Sequence, residues 1–224
     1  MGKKVNPLIF RISNIKNPAL TWHSKWFAKK HQYAHFIQED EEIRKLVHKK
    51  INDVGLDKLV INRSGKGGVE IVALVSKPGV IIGRGGEKSD QLKKQIQKIV
   101  SKGTTVQLTI KELLRPNTSA EVLVEEARRL VERRMPFRKI MKKIIDLGKK
   151  SGALGIKIVM AGRLNGVEIA RREKLGDGRM PLQNLRAHID YARTAAHTKW
   201  GQIGIKVWVY KGEVFEEDQV ETAK

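Results

Sequence analysis

The sequence predicts an α+β protein of two domains. Three observations lead to this. At 224 residues with 40% hydrophobic content, the chain has material for one or two ordinary globular cores. Apolar residues recur at helical spacing in some stretches and at every second position in others, so both element types are present. A break at Lys111 to Pro116 separates a mixed run of helices and strands from a second run that opens with two helices and closes in strands. The expected division is a basic arm at 1–16, one domain at 17–115, a second at 116–212 and an acidic, flexible tail at 213–224.

The elements follow in order. Trp22 and Trp26 stand among Lys and Arg without a clean period. A helix is expected from Glu39-Asp40-Glu41-Glu42 to Gly55, with Ile43, Leu46, Val47, Ile51 and Val54 as its apolar stripe. Acid at its start and Arg44, Lys45, His48, Lys49 and Lys50 towards its end suit the helix dipole. Leu59 to Arg63 and Val69 to Val75 read as strands joined by Ser64-Gly65-Lys66-Gly67-Gly68. Pro78-Gly79 precedes a short helical run Val80-Ile81-Ile82, then Gly83-Arg84-Gly85-Gly86, then a helix marked by Leu92, Ile96, Ile99 and Val100. Val106, Leu108 and Ile110 alternate as a half-buried strand.

In the second domain, Thr118 and Glu121 have capping-box spacing and open a helix running to about Arg134. Pro136 opens the next helix, to Gly148. Ile156 to Met160 is a strand, Asn165-Gly166 a hairpin turn, and Val167, Ile169, Arg171 and Arg172 the return strand. Two strands follow, about Ala187 to Thr198 and Ile203 to Tyr210, linked by a Gly201–Gly204 turn.

Charge narrows the function. There are 45 Lys plus Arg against 24 Asp plus Glu, a formal net charge of +21. Such a surface repels itself unless an anionic partner neutralises it, and nucleic acid is the usual one because each neutralised phosphate releases a counterion. No apolar run approaches the roughly 20 residues of a spanning helix, so no membrane partner is expected. Met1-Gly2-Lys3-Lys4-Val5-Asn6-Pro7 lacks the apolar core of a secretory signal, and Pro7 argues against myristoylation. The absence of cysteine excludes disulfides, thiol catalysis and Cys-based zinc sites.

The Gly83-Arg84-Gly85-Gly86 loop lies between two helices, where backbone N–H groups at a helix N-terminus favour phosphate. Arg84 adds a charge, and Lys88 lies one turn into the helix. This is the arrangement of a KH module, whose GXXG loop clamps an RNA backbone; a plain glycine turn between helices is the alternative. The spacing fits neither a P-loop, since Glu87 separates Gly86 from Lys88, nor a dinucleotide loop, since Lys88 stands where the third glycine would be.

The helix after Pro136 is segregated. Phe137, Ile140, Met141, Ile144 and Ile145 take one side, while Arg138, Lys139, Lys142, Lys143, Lys149 and Lys150 take the other, with only Asp146 between them. Arg133 and Arg134 precede it. So many like charges on one face call for a compensating partner. The alternatives are a solvated face over a core, or a helix that docks on membrane or a calmodulin-like protein. Arg163, Arg171, Arg172, Lys174, Arg179 and Arg186 give the C-terminal sheet a basic edge, either a phosphate contact or a solvated hairpin. The six histidines show no metal-ligand spacing, and no catalytic constellation or cofactor site stands out.

Taken with Lys77-Pro78-Gly79-Val80-Ile81-Ile82-Gly83, Glu132-Arg133-Arg134-Met135-Pro136-Phe137-Arg138, Gly162 to Arg171, Pro181 to Arg186 and Gly204 to Val209, these segments resemble the universal small-subunit ribosomal protein three in its bacterial or organellar form, over nearly the whole chain. The resemblance implies a type II KH domain followed by an α+β domain with two helices packed on a four-stranded, mostly antiparallel sheet. It implies a non-enzymatic constituent of the small-subunit head that binds 16S-type rRNA, cytoplasmic or plastid, next to small-subunit proteins ten and fourteen. With proteins four and five it would line the channel through which mRNA enters. On this chain the channel role falls on Arg133, Arg134, Arg138, Lys139 and Lys142. The KH grip falls on Gly83 to Gly86 with Lys88, and further rRNA contacts on Lys3, Lys4, Arg11, Arg163, Arg171, Arg172 and Arg179. A free KH-type regulator is the competing binding module, and a nuclease the competing enzyme.

Overall fold

The computed structural model describes residues 5–11, 22–51, 54–64, 67–101 and 103–215. The chain divides into two compact units, Trp22–Pro116 and a second made of Met1–Thr21 with Asn117–Lys224. The division near Pro116 falls where the charged, proline-ended stretch interrupts both apolar patterns.

In the first unit, β1 (Ser24–Lys25), α2 (Lys30–Ile51), β2 (Leu56–Ser64), β3 (Gly68–Val75), α3 (Pro78–Ile82), α4 (Glu87–Ile99) and β4 (Thr105–Glu112) follow in chain order, after a short α1 (Pro7–Phe10) that belongs to the other unit. The sheet order is β1-β2-β3-β4. β2 and β3 form an antiparallel hairpin, whereas β3 and β4 are parallel, with Val69 opposite Val106 and Ile71 opposite Leu108. A parallel pair needs a crossover, and here α3, the glycine loop and α4 supply it. Ile43, Val47 and Ile51 of α2 and Leu92 and Ile96 of α4 meet Ile61, Ile71, Ala73 and Val75 in one buried core.

Helix α2 begins at Lys30, nine residues before the acidic cluster expected to start it. Glu39 and Asp40 are therefore mid-helix and only 2% and 5% exposed. They face Arg63 of β2, whose Nη1 lies 2.6 Å from Glu39 and whose Nη2 lies 2.5 Å from Asp40. Ser101 donates to Glu39 through its backbone N–H (3.0 Å) and its hydroxyl (2.5 Å), and Trp26 Nε1 donates to Asp40 at 2.8 Å. Burial alone pushes the Glu39 carboxyl up, but the hydrogen bonds from Ser101 and Arg63 and the guanidinium charge outweigh it and leave the carboxyl below its usual range. The cluster is thus a buried tie between helix and sheet, not a dipole complement.

In the second unit, α5 (Ala120–Glu132) and α6 (Phe137–Lys150) lie on an antiparallel sheet ordered β6-β5-β8-β7, formed by β5 (Gly155–Gly162), β6 (Arg171–Gly178), β7 (Ala187–Thr198) and β8 (Gly201–Glu213). Leu123, Ala127 and Leu130 of α5 and Ile140, Met141 and Ile144 of α6 share a core with Ile156, Ile158, Met160, Ile205 and Val207. Three local expectations change. The N-cap of α5 is Ser119, which accepts from Val122 N, while Thr118 lies in a 3-10 turn, Pro116–Thr118. Asp190 draws the helix start onto the sheet by accepting from Ala120 N at 3.1 Å. Asn165-Gly166 does not close a two-residue hairpin, because Asn165 turns its Oδ1 to accept from Phe137 N at 3.3 Å and buried Leu164 plugs the core. The return strand therefore begins at Arg171, opposite Gly162. The last hairpin turns at Lys199-Trp200, with Thr198 opposite Gly201, and not at Gly201–Gly204.

The N-terminal segment also differs from a free arm where it is described. Asn6 caps α1 by accepting from Leu8 N at 2.9 Å. Arg11 is 1% exposed and donates to the carbonyls of Pro7, Pro181, Leu182 and Asn184 at 2.8–3.3 Å. Burial holds its guanidinium pKa below the usual value. The expected rRNA contact at Arg11 is therefore corrected: enclosed by carbonyls, this side chain clamps α1 to the loop before β7 instead. Lys3, Lys4 and residues 216–224 of the tail lie outside the described residues.

Candidate nucleic-acid interface

The loop between α3 and α4 exists because three of its residues are glycines in the left-handed region: Gly83 has φ 74°, Gly85 φ 63° and Gly86 φ 84°. A Cβ on Gly83 would lie 2.9 Å from Lys88 Cγ, so the lysine stem lies across that glycine. A Cβ on Gly85 would meet nothing within 4 Å, which makes this the open, approachable point of the loop. Gly86 occupies the N-cap of α4 without a side-chain cap, and Ser89 Oγ donates back to its carbonyl at 2.7 Å. The first N–H groups of a 13-residue helix therefore face outward beside exposed Lys88. For Arg84 only the backbone is described, in the 3-10 turn Arg84–Gly86. Val80 (52%) and Ile82 (38%) of α3 stay exposed next to the loop. Backbone donors, a cation and apolar surface together suit a sugar–phosphate chain.

Helix α6 has the segregation its sequence promised. Phe137, Ile140, Met141, Ile144 and Ile145 are buried, and Arg138, Lys139, Lys142, Lys143, Lys149 and Lys150 are exposed. Its apolar side is thus consumed by the core, which removes the membrane and helix-docking alternatives. Two of the cations are neutralised locally: Lys143 pairs with Glu126 at 3.4 Å and Lys149 with Asp177 at 2.7 Å. The Asp177 hydrogen bond holds the Lys149 ammonium pKa above its usual value. Among the described residues, no ion pair engages Arg133, Arg134, Arg138, Lys139 or Lys142. Arg138 and Lys142 are one turn apart on the same face.

The remaining expected contacts do not form one cluster. Arg163 is half-buried, with Nε donating to Val167 O at 3.0 Å, and Arg171 lies over the Phe137 ring at 5.3 Å, so both border the start of α6. Arg172, one residue on, faces the opposite side of the sheet, and Arg179 stands just past the far end of β6. Reasoning from sequence passes over Lys206 and Arg193, which the register sets directly opposite each other, in one row with Val159 and Lys174. It also passes over Lys199 and Trp200 at the last turn. A tryptophan next to glycine at a strand end is the available signal.

Among the described residues, no group of three or more His, Asp or Glu is placed to hold a metal, and no helix is long and apolar enough to cross a membrane. The glycine loop, the parallel strands behind it and the unpaired cations of α6 define a protein built to hold RNA. Residues 42–118 match the KH domain family, and residues 127–209 match the family described as ribosomal protein S3, C-terminal domain. A protein of Desulfatibacillum aliphaticivorans named small ribosomal subunit protein uS3 is 43% identical over 218 residues, covering 97% of this chain and 96% of its own length. Proteins of the same name from Oleidesulfovibrio alaskensis (43% identical, 97% and 99% covered) and Persephonella marina (41%, 100% and 96%) agree. The chain belongs to the uS3 family of small ribosomal subunit proteins, a structural and non-enzymatic family with an RNA-binding KH domain.

Proposed function

We propose that this chain is held in the head of the small subunit by 16S-type rRNA and lines the channel through which mRNA enters. In this reading it is cytoplasmic or plastid with its ribosome. The KH loop (Gly83, Arg84, Gly85, Gly86, Lys88) grips rRNA, as do Lys3, Lys4, Arg163, Arg171, Arg172 and Arg179. The like-charged neighbours Lys206 and Arg193 add to this set, because cations directly opposite one another in a sheet repel unless an anion lies between them. Proteins ten and fourteen are its neighbours in the head, and proteins four and five share the channel.

The observation that carries the channel role is the outer face of α6, where Arg138, Lys139 and Lys142 have no acidic partner among the described residues while the rest of the helix is anchored in the core. Arg133 and Arg134 extend that face. Cations fixed on a rigid helix hold the phosphates of a single strand. A base pair of the message that opens thermally is then trapped open, because the strand so held binds better than the duplex it left. No nucleotide hydrolysis is needed for this.

Replacing Arg138 and Lys142 together by alanine removes charge from exposed positions and should leave the fold and ribosome incorporation unchanged. Against free single-stranded RNA the slope of log affinity on log salt should fall by about 1.4, roughly 0.7 for each phosphate no longer neutralised. Ribosomes carrying the variant should slow on structured messages and not on unstructured ones. Loss of incorporation with normal handling of structured messages would reject the channel role. A protein released from subunits into light fractions with RNA still bound would favour a free KH regulator.

A further inference from the structure

We infer that the second unit carries a pocket for one unstacked RNA base, at the foot of the α6 face; the inference rests on the RNA-binding reading of that face. A cavity of about 300 Å³ opens between the α5–α6 elbow, the loop after β5 and the β7–β8 turn. That volume is at the low end of small-ligand sites, enough for a single heterocycle. Its floor is apolar: Met160 and Leu164 are 0% exposed and Ile203 6%. Trp200 borders it and remains 48% exposed. A Cβ on Gly166 would lie 3.1–3.2 Å from three indole atoms, so the glycine lets that ring lie against the loop backbone. A fixed, half-exposed indole over an apolar floor is a stacking platform of the kind that takes bases without regard to sequence.

The rim selects a nucleotide over an apolar side chain. Arg134, Arg163 and Lys199 line it. The one carboxylate in the lining, Glu132, is already engaged by Arg128 Nη1 at 2.8 Å. Arg134 supplies an independent indication. It follows α5 with φ 62°, its N–H donating to Val131 O at 2.8 Å and the next N–H, of Met135, to Leu130 O at 3.1 Å. This is the helix-ending turn whose left-handed position normally holds glycine. An arginine there is strained, and its side chain reaches the cavity rim. We read the strained arginine as retained for what its charge holds, the phosphate of the nucleotide whose base enters the pocket.

The test uses the full chain and two single-stranded RNA oligomers of equal length, one intact and one abasic, so that phosphate charge is the same. The intact oligomer should bind more tightly, and Trp200→Ala should cancel about 5- to 150-fold of that preference, the range for one aromatic–base stack. Abasic binding and the salt slope should stay unchanged, which also shows that the variant is folded. Trp200→Phe should keep the preference, and Arg134→Gly should weaken both oligomers while raising the urea midpoint of unfolding. A base preference untouched by Trp200→Ala, or equal weakening of both oligomers, overturns the pocket. The first of these with Trp200→Ala dropping out of ribosomes would mean that a neighbouring protein's side chain fills it. The Arg138 and Lys142 salt slope reports separately on the α6 face, so the two readings fail independently.

Discussion

Replacing Arg63 by methionine is expected to destabilise the KH unit by about 3–5 kcal/mol. The side chains of Arg63, Glu39 and Asp40 are 7%, 3% and 7% exposed in their contacts, so removing the cation strands two carboxylates away from water. Ser101, Trp26 and Ser24 still donate to them but carry no charge. Methionine keeps the aliphatic length and loses the ion pairs and the guanidinium stacked 4.6 Å from the centre of the Phe36 ring. Urea unfolding followed by tryptophan fluorescence reads the loss. Adding Glu39→Gln and Asp40→Asn should recover a large part of it, since the uncompensated charges are then gone. A loss below about 1 kcal/mol would mean that the cluster behaves as a solvated surface set. The consequence reaches function, because the same ties hold α2 and β2, which with α4 form the core beneath the glycine loop.

Gly85→Asp is expected to lower RNA affinity by about tenfold or more with the fold intact. The position is in the left-handed region, which aspartate tolerates better than most residues, and an added Cβ meets nothing within 4 Å. The substitution therefore places a carboxylate at the N-terminus of α4, where a phosphate would otherwise take the free N–H groups. Charge-assisted hydrogen bonds of that kind contribute about 1.5–3 kcal/mol. Gly85→Asn has nearly the same shape without the charge and should keep most of the binding. Equal loss in both variants would show that backbone freedom, and not anion affinity, is what the loop supplies. The readout is RNA affinity at fixed salt, beside a thermal melt of each variant.

The glycine loop and α6 are legible in the sequence for simple reasons. Glycines clustered between two apolar-periodic runs mark a turn that needs left-handed backbone, and a helix that keeps every cation off its apolar stripe declares its inner face. What escapes depends on partners distant in sequence. Glu39 and Asp40 look like dipole charges until Arg63, on another element, claims them. Thr118 and Ser119 offer the same hydroxyl to a helix start, and Asp190 on β7 fixes which of them caps it. Asn165-Gly166 is a hairpin signal by local rules, yet the Asn165 side chain serves α6. Arg11 reads as one more phosphate contact because three of its four carbonyl acceptors lie 170–173 residues away. The cavity under Trp200 draws on three separated segments, so no local pattern announces it.

The channel-lining role of α6 is tested most directly by a photo-crosslinking residue at position 142 in assembled small subunits bound to mRNA. Crosslinks to message nucleotides not yet decoded are expected, and they should be lost when the message is truncated before the channel. Crosslinks confined to ribosomal RNA, with or without message present, would contradict it.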